Sequence, residues 1–387
     1  MTAIVRPLET QAPPTARSLP AWVYSHPELT RLEIERILRP SWQIACHISQ
    51  IPNRGDYLTF EIGPDSIIVL RDSAGEIRAL RNVCRHRGTR LLEGTGRCPG
   101  RIVCPYHGWT YRYDGSLLAT PAKESFPELN LRDYGLDVVR TEVTLGFVWV
   151  CLAGDAPPPS QVWAPLIDEL APYRFEELVP TQPMYFEEWN VNWKIAMDNY
   201  LESYHVPAGH PGLNRLFTPD YEDQRGVPGI ARGFSWLRDA PSPRWSERIY
   251  QAHVRTVTAR HLPEPNTRSW RFYSFLPNLG IDITPEQVGF FQVLPRGTDK
   301  TVIRGVAFGH RDERREMRLL RWLGNRINMQ VNKEDRWLCE RLQRGIADGG
   351  YKPGPLSGIE YWMLEFHDLL RARIPEMRLP QAPAQFA

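Results

Sequence analysis

Two short loops constrain this chain more than anything else in it. Cys84-Arg85-His86 is followed, after seventeen intervening residues, by Cys104-Pro105-Tyr106-His107. Each half offers one soft thiolate and one imidazole. Gly88, Gly94, Gly96, Gly100 and Gly108 lie in and around them, as tight loops wrapping a buried centre require. The first half follows a strand expected to end at Asn82, and the second follows a short strand, Arg101-Ile102-Val103. Six cysteines in 387 residues are too sparse for a disulfide scaffold. Cys84 and Cys104 read as ligands, Cys98 as a surface or loop cysteine, and Cys46, Cys151 and Cys339 as small buried hydrophobes.

Three readings compete for the two thiolates and two imidazoles. Structural zinc sites draw on paired cysteines, or on a cysteine pair and then a histidine pair, whereas here each loop supplies one of each. Core cysteines with satisfied core histidines would require four coincidences in glycine-flanked turns. The C-x-H and C-x-x-H spacing favours a Rieske [2Fe–2S] centre, with Cys84 and Cys104 on one iron and His86 and His107 on the other. Neutral imidazoles in place of thiolates raise the potential, which suits a cluster that takes electrons from a ferredoxin and passes them on.

Such a carrier needs only about a hundred residues, and this chain is far longer. A length of 387 residues suggests two domains. Hydrophobic residues at 42% and charged residues at 24% are globular values. A net charge of +2 gives no pull toward nucleic acid or an anionic membrane. No run of about 20 apolar residues spans a membrane. Arg6, Glu9 and Arg17, with Pro7, Pro13 and Pro14, interrupt the N-terminus, so no secretory signal is expected and the location reads as cytoplasmic. Residues 1–17 read as a loose tail. A helix is expected over Pro27–Leu38, capped by Ser25 and ended by Pro40. Strands are expected at Tyr57–Glu61, Ser66–Arg71, Ile77–Asn82 and Leu145–Leu152. Gly154-Asp155 and Pro157-Pro158-Pro159 read as a linker. Beyond it, Asn190–Tyr204 and Asp312–Gly345 read as helices, and Trp270–Leu276, Val288–Leu294 and Thr301–Gly309 as strands. The expected organisation is α+β, in three parts: 1–39 as tail and helix, 40–153 as a small antiparallel β domain around the cysteine loops, and 154–387 as a second domain.

That second domain carries its own ligand set. Asp198-Asn199-Tyr200-Leu201-Glu202-Ser203-Tyr204-His205 precedes Val206-Pro207-Ala208-Gly209-His210. Pro207 cannot continue a helix and Gly209 permits a turn, so His205 and His210 can converge. Glu202, one helical turn before His205, is placed to accept a hydrogen bond from a ligand's second ring nitrogen. Two imidazoles and a carboxylate with open positions make the facial triad of non-haem Fe(II) oxygenases. The carboxylate must come from elsewhere, and Glu334-Asp335 is the best candidate pair. Asp335, Leu338, Leu342 and Ile346 share a helical stripe, so Asp335 is preferred over Glu334.

With both sets in hand, the chain resembles the large (α) terminal oxygenase subunits of the Rieske non-haem iron ring-hydroxylating oxygenases, from about Trp22 to about Leu370. The motifs are Asn82-Val83-Cys84-Arg85-His86-Arg87-Gly88, Cys104-Pro105-Tyr106-His107-Gly108-Trp109-Thr110-Tyr111, Asn192-Trp193-Lys194, the His205/His210 segment, and Glu334-Asp335 through Gln343-Arg344-Gly345. The resemblance implies a Rieske domain ahead of a helix-grip (START/Bet v 1-like) catalytic domain, with an antiparallel sheet and a long C-terminal helix. It implies a head-to-tail homotrimer, with or without small β subunits. It implies a ferredoxin or flavin reductase that brings electrons from NADH. It also implies that His107 touches a bridging carboxylate across the subunit interface, at the position of Glu202. Aromatic-ring dioxygenases usually carry Asp there. Glu is similar to members that act on carnitine, choline and betaines, and the context of Asp198, Asn199 and Tyr204 looks like that branch.

The chemistry expected is O2-dependent hydroxylation of a small organic substrate, with loss of formaldehyde where an N-methyl or O-methyl group is attacked. The alternative is hydroxylation of an aromatic acid, and a Rieske electron-transfer protein with a binding domain is the alternative of another class. Tyr204, Trp270, Phe272 and Tyr273 are the pocket candidates, joined by Phe275, Phe290 and Phe291 as aromatic residues of the same strands. A quaternary ammonium would need such an aromatic cage, and an aromatic ring would pack on the same faces. Arg268 and Arg271 are candidates for a substrate carboxylate, with solvated surface the plainer reading.

Overall fold

The computed structural model describes residues 17–219, 222–224, 227–312 and 314–386. The expected loose tail therefore lies outside the described residues, apart from Arg17. The chain divides into two units, one of residues 38–180 and one of residues up to Ile37 together with 181 onward.

In the first unit, short β-branched and aromatic runs separated by glycine turns build an antiparallel sheet. Its order is Gln43–His47, Phe147–Cys151, Val138–Thr144, Ile77–Arg81, Asp65–Arg71, Asp56–Ile62, Thr95–Arg97. A second, three-stranded sheet holds Ile102–Val103, Thr110–Tyr111 and Leu117–Ala119. Cys84, Cys104, Trp109, Tyr111, Leu80, Leu117 and Leu136 share one buried cluster. Cys98 belongs to the same cluster, so it is a core residue and not a surface one. The expected linker is part of this unit too. Arg140 donates to Gly154 O at 2.7 Å and Ala156 O at 3.0 Å. Pro159 and Trp163 are buried, and His47 Nε2 lies 3.0 Å from Phe175 O. The unit ends at Pro180, not at 153, because the proline-rich stretch packs back on its own sheet.

In the second unit, an antiparallel sheet runs Tyr185–Trp189, Thr301–Gly309, Gln287–Pro295, Leu279–Thr284, Ser269–Phe275, Ile230–Trp236, Glu222–Gln224. A single helix, Arg315–Ile346, accounts for the long helical pattern. Leu342 on its expected apolar stripe is exposed, while Ile346 further along the stripe is buried. The N-terminal helix is Pro27–Glu33, continued by a π turn, Ile34–Leu38. His26 and not Ser25 occupies its N-cap, and Pro27 starts it.

The central helix is Trp193–Tyr200, shorter than the expected 190–204. Asn192 caps it, its side chain accepting the Lys194 N–H at 3.1 Å. Glu33, fully buried, takes Trp193 Nε1 at 2.7 Å and Lys194 Nζ at 2.5 Å. Tyr24 Oη and His367 Nε2 both reach Asp198, each at 2.8 Å. Buried charges paired this way fix the helix in one place, since removing one partner would strand the other.

Candidate functional site

The two cysteine loops share one hydrogen-bond grammar. Cys84 N donates to Thr89 O and Gly88 N to Cys84 O; Cys104 N donates to Trp109 O and Gly108 N to Cys104 O. Gly88 and Gly108 close the turns at φ +78° and +72°, where a side chain is strained. The His86 and His107 rings lie 4.8 Å apart, centroid to centroid, and His86 stacks on Trp109 at 4.9 Å. Burial raises the Cys84 thiol above its ordinary value, with Tyr111 opposing and Cys104 beside it. Tyr111 Oη sits 3.2 Å from Cys84 Sγ and accepts the Arg85 N–H at 3.0 Å. Two buried thiols backed by a phenol, with two imidazoles edge to face, are a donor set that fits a cluster with mixed ligands.

In the other unit the helix stops at Tyr200 because Glu202 supplies an alternative partner. Its carboxylate accepts the His205 backbone N–H at 3.0 Å and pairs with His205 Nδ1 at 2.6 Å. Glu202 thus reaches His205 as a local cap, not from the same continuous helix. Val206–Gly209 forms one turn, with Pro207 in its first positions and His210 closing it. Gly209 sits close to the long helix, where an added Cβ would stand 2.9 Å from Leu338 Cδ1 and oblige that side chain to shift.

The turn brings three ligand-type atoms together. His205 Nε2 is 3.1 Å from His210 Nε2. Asp335 Oδ1 is 2.9 Å from His210 Nε2 and 3.6 Å from His205 Nε2. Glu334, the neighbour set aside as a ligand, pairs with His210 Nδ1 at 2.8 Å and accepts Gln330 Nε2 at 2.8 Å. With both Nδ1 protons held by carboxylates, neutral His205 and His210 present lone pairs at Nε2. Asp335 Oδ1 is then buried without a donor. Three acceptors aimed at one point need a positive charge between them. Burial disfavours a charged His205, yet Asp335 and Glu202 outweigh it and lift the imidazole to about 9. A divalent metal ion answers the same need, and the donor set fits non-haem iron.

The trio opens on a cavity of about 600 Å³ between the sheet and the long helix. Trp270, Phe272, Phe290 and Phe291 line it, with Asn199 beside Glu202. Tyr273 faces away: residues 270, 272 and 274 share one face of the strand, and Tyr273 is buried on the other. Phe275 shares Tyr273's parity and is also absent from the wall. Tyr204 is 61% exposed and off the wall, because the chain turns at Leu201 before reaching it. Arg271 is buried over the Phe234 ring and so is not solvated surface, whereas Arg268 pairs at the surface with the exposed Asp239, as the plainer reading expects; neither lines the cavity. Sequence reasoning missed Asn325, Asn328 and Asn332, which line the cavity with Asp335. Their spacing is helical, and the repeat of Asn, Asn, Asn, Asp on one face was the signal.

Comparison with known proteins agrees with this architecture. The family described as "Rieske [2Fe-2S] domain" matches residues 41–135, and that described as "Ring hydroxylating alpha subunit (catalytic domain)" matches 175–376. The glycine betaine monooxygenase oxygenase subunit of Chromohalobacter salexigens is 32% identical, over 91% of this chain and 84% of that protein. The carnitine monooxygenase oxygenase subunit of Escherichia coli K12 is 28% identical, over 92% of this chain and 94% of that one. Among solved structures, a quaternary ammonium Rieske monooxygenase superposes with a TM-score of 0.78 at 22% identity, covering 92% of this chain and 95% of that one. At that identity the likeness speaks for the fold. No helix among the described residues is long and apolar enough to cross a membrane.

Proposed function

This chain belongs to the ring-hydroxylating α-subunit family of Rieske non-haem iron oxygenases, and we propose that it oxidatively N-demethylates a small quaternary ammonium compound. The observation that carries the reading is the His205, His210 and Asp335 trio, with both Nδ1 atoms anchored by carboxylates, opening on an aromatic and acidic cavity. Relatives named for glycine betaine and carnitine support the substrate class.

In this reading Cys84, His86, Cys104 and His107 hold the [2Fe–2S] cluster, and His205, His210 and Asp335 hold Fe(II). When bound, the two centres supply the stepwise reduction of O2. Glu202 and Glu334 hold the imidazole protons at Nδ1, which keeps Nε2 of each ring free as a donor. Asn199, Trp270 and Phe272 wall the substrate and exclude water. Electrons enter from NADH through a ferredoxin or flavin reductase, in the cytoplasm. The subunit works as a head-to-tail homotrimer, with or without small β subunits, in which Glu202 is the bridge reached from His107 of the neighbouring subunit. One oxygen atom enters a methyl C–H bond and the other leaves as water, taking two electrons and two protons. The N-hydroxymethyl adduct then splits into the tertiary amine, formaldehyde and a proton.

The test is turnover of quaternary ammonium compounds by the holoenzyme with a surrogate reductase and NADH. Formaldehyde equal to the NADH oxidised supports the reading. Hydroxylation of an aromatic acid, with no formaldehyde from any betaine, would replace it with the aromatic-ring alternative.

A further inference from the structure

A quaternary ammonium group has no hydrogen to donate, so aromatic faces and a bare negative charge are what can select it. The cavity holds such a charge. Asp282, on the Leu279–Thr284 strand, lines it. One carboxylate oxygen accepts the Tyr200 phenol proton at 2.7 Å. Among the described residues no Lys, Arg or His pairs with it.

The surroundings of this carboxylate are built with care for shape. Tyr200 Oη also reaches Tyr273 O at 3.3 Å, which fixes the ring. Phe291 meets Tyr200 edge-on at 4.7 Å, with the ring planes 88° apart. Gly280 makes room for both: an added Cβ would lie 2.3 Å from Phe291 Cε1 and 2.9 Å from Tyr200 Cε1. Of the other carboxylates on the wall, Glu187 is paired with Arg336 and Glu202 with His205, while Asp335 faces the two imidazoles. Asp223 has Ser203 Oγ at 3.3 Å, on a short strand away from this aromatic pair.

A phenol hydrogen bond by itself does not call for a charge, since an amide would accept it equally well. Burial lifts the Asp282 carboxyl to about 6, with Tyr200 opposing and Asp335 adding to the rise. It is therefore ionised above that pH at a standing electrostatic cost, one that an entering cation offsets.

We propose that Asp282, backed by Tyr200 on a wall that Phe291 shares, is the counter-charge that selects the substrate's quaternary ammonium group. The inference rests on the N-demethylation reading above and names the residue behind its specificity.

The test compares a quaternary ammonium compound with the isostere in which an uncharged tert-butyl group replaces the ammonium. Binding of glycine betaine and of tert-butylacetate to the holoenzyme is measured by calorimetry, alongside choline and its carbon isostere. The wild type should prefer the cations. Asp282→Asn, and independently Asp282→Ser, should lose about tenfold or more in affinity for the ammonium compounds without losing affinity for the isosteres. Asp223→Asn should keep the preference. If either Asp282 variant keeps the cation preference, or loses cation and isostere equally, the inference is overturned and the N-demethylation reading stands on its formaldehyde assay. Loss of the preference in Asp223→Asn instead also overturns it. A wild type without preference for the ammonium compounds also overturns the inference, and absence of formaldehyde in the turnover assay separately overturns the N-demethylation reading.

Discussion

Removing the Glu334 carboxylate, which holds His210 at Nδ1, has a calculable effect. The residue adjoins the proposed ligand Asp335 but touches His210 on the opposite nitrogen, at 2.8 Å. It is then an orienting group and not a ligand. Glu334→Ala should leave Asp335, His205 and His210 in place and free the His210 ring to rotate and to change tautomer. A hydrogen bond to a charged group contributes roughly 1.5–3 kcal/mol. The Glu334 side chain keeps 22% of its surface open to water, which sets the loss at the lower end, about 1.5 kcal/mol. That is a roughly tenfold weaker Fe(II) site. The assay is anaerobic Fe(II) titration against a competing chelator, on protein stripped of mononuclear iron but retaining its cluster. The visible spectrum of the cluster serves as the internal measure of fold. Iron affinity equal to wild type would refute the reasoning. So would a loss as complete as that of Asp335→Ala, which would make Glu334 a ligand.

Three further outcomes follow from the geometry. Asp335→Ala should abolish mononuclear iron while the electron paramagnetic resonance signal of the reduced cluster persists; loss of both signals together would count against two independent centres. Tyr111→Phe removes the hydroxyl 3.2 Å from Cys84 Sγ, so the added electron is less stabilised and the cluster potential should fall, as read by voltammetry; an unmoved potential would show that the phenol does not act on the sulfur. Burial raises Glu286 to about 7, with the Tyr250 hydroxyl 2.9 Å away pulling the other way. Its folded value lies above the unfolded value of about 4.3, so the stability it contributes is present below pH ~4.3 and is lost as pH rises toward about 7, by about 4 kcal/mol. Glu286→Gln should therefore melt higher than wild type at pH ~8 and level with it at pH ~4.5; melting curves that stay parallel across that range would contradict this.

The elements that were legible in the sequence are those whose chemistry or periodicity is local. The Cys84 and Cys104 loops announce themselves by glycines and ligand types, and the long helix by its repeat. Less was legible where tertiary packing decides. Trp270, Phe272 and Tyr273 are three near-consecutive aromatics, but a strand turns alternate residues to opposite faces, so one of them had to face away. Which one depends on the register with Ile230–Trp236 and Leu279–Thr284, a long-range property. The helix expected to reach Tyr204 ends early because Glu202 competes for a backbone proton, and propensity does not see that contact. The domain boundary moved to Pro180 because prolines mark a break in regular structure, not a break in packing.

The matching hydrogen-bond pattern of the two cysteine loops bears on how the cluster is assembled. In the proposed arrangement each loop gives its thiolate to one iron and its imidazole to the other, so neither loop by itself completes the coordination of a single metal atom. Each loop can close on its own, since Gly88 and Gly108 need only their own backbone. The cluster, by contrast, can be seated only after the Ile77–Arg81 strand and the Ile102–Val103 hairpin that present the loops are both in register. On that arrangement a chain with one loop misplaced would present only one of the two thiolates and one of the two imidazoles, so a seated cluster would report that both loops are folded.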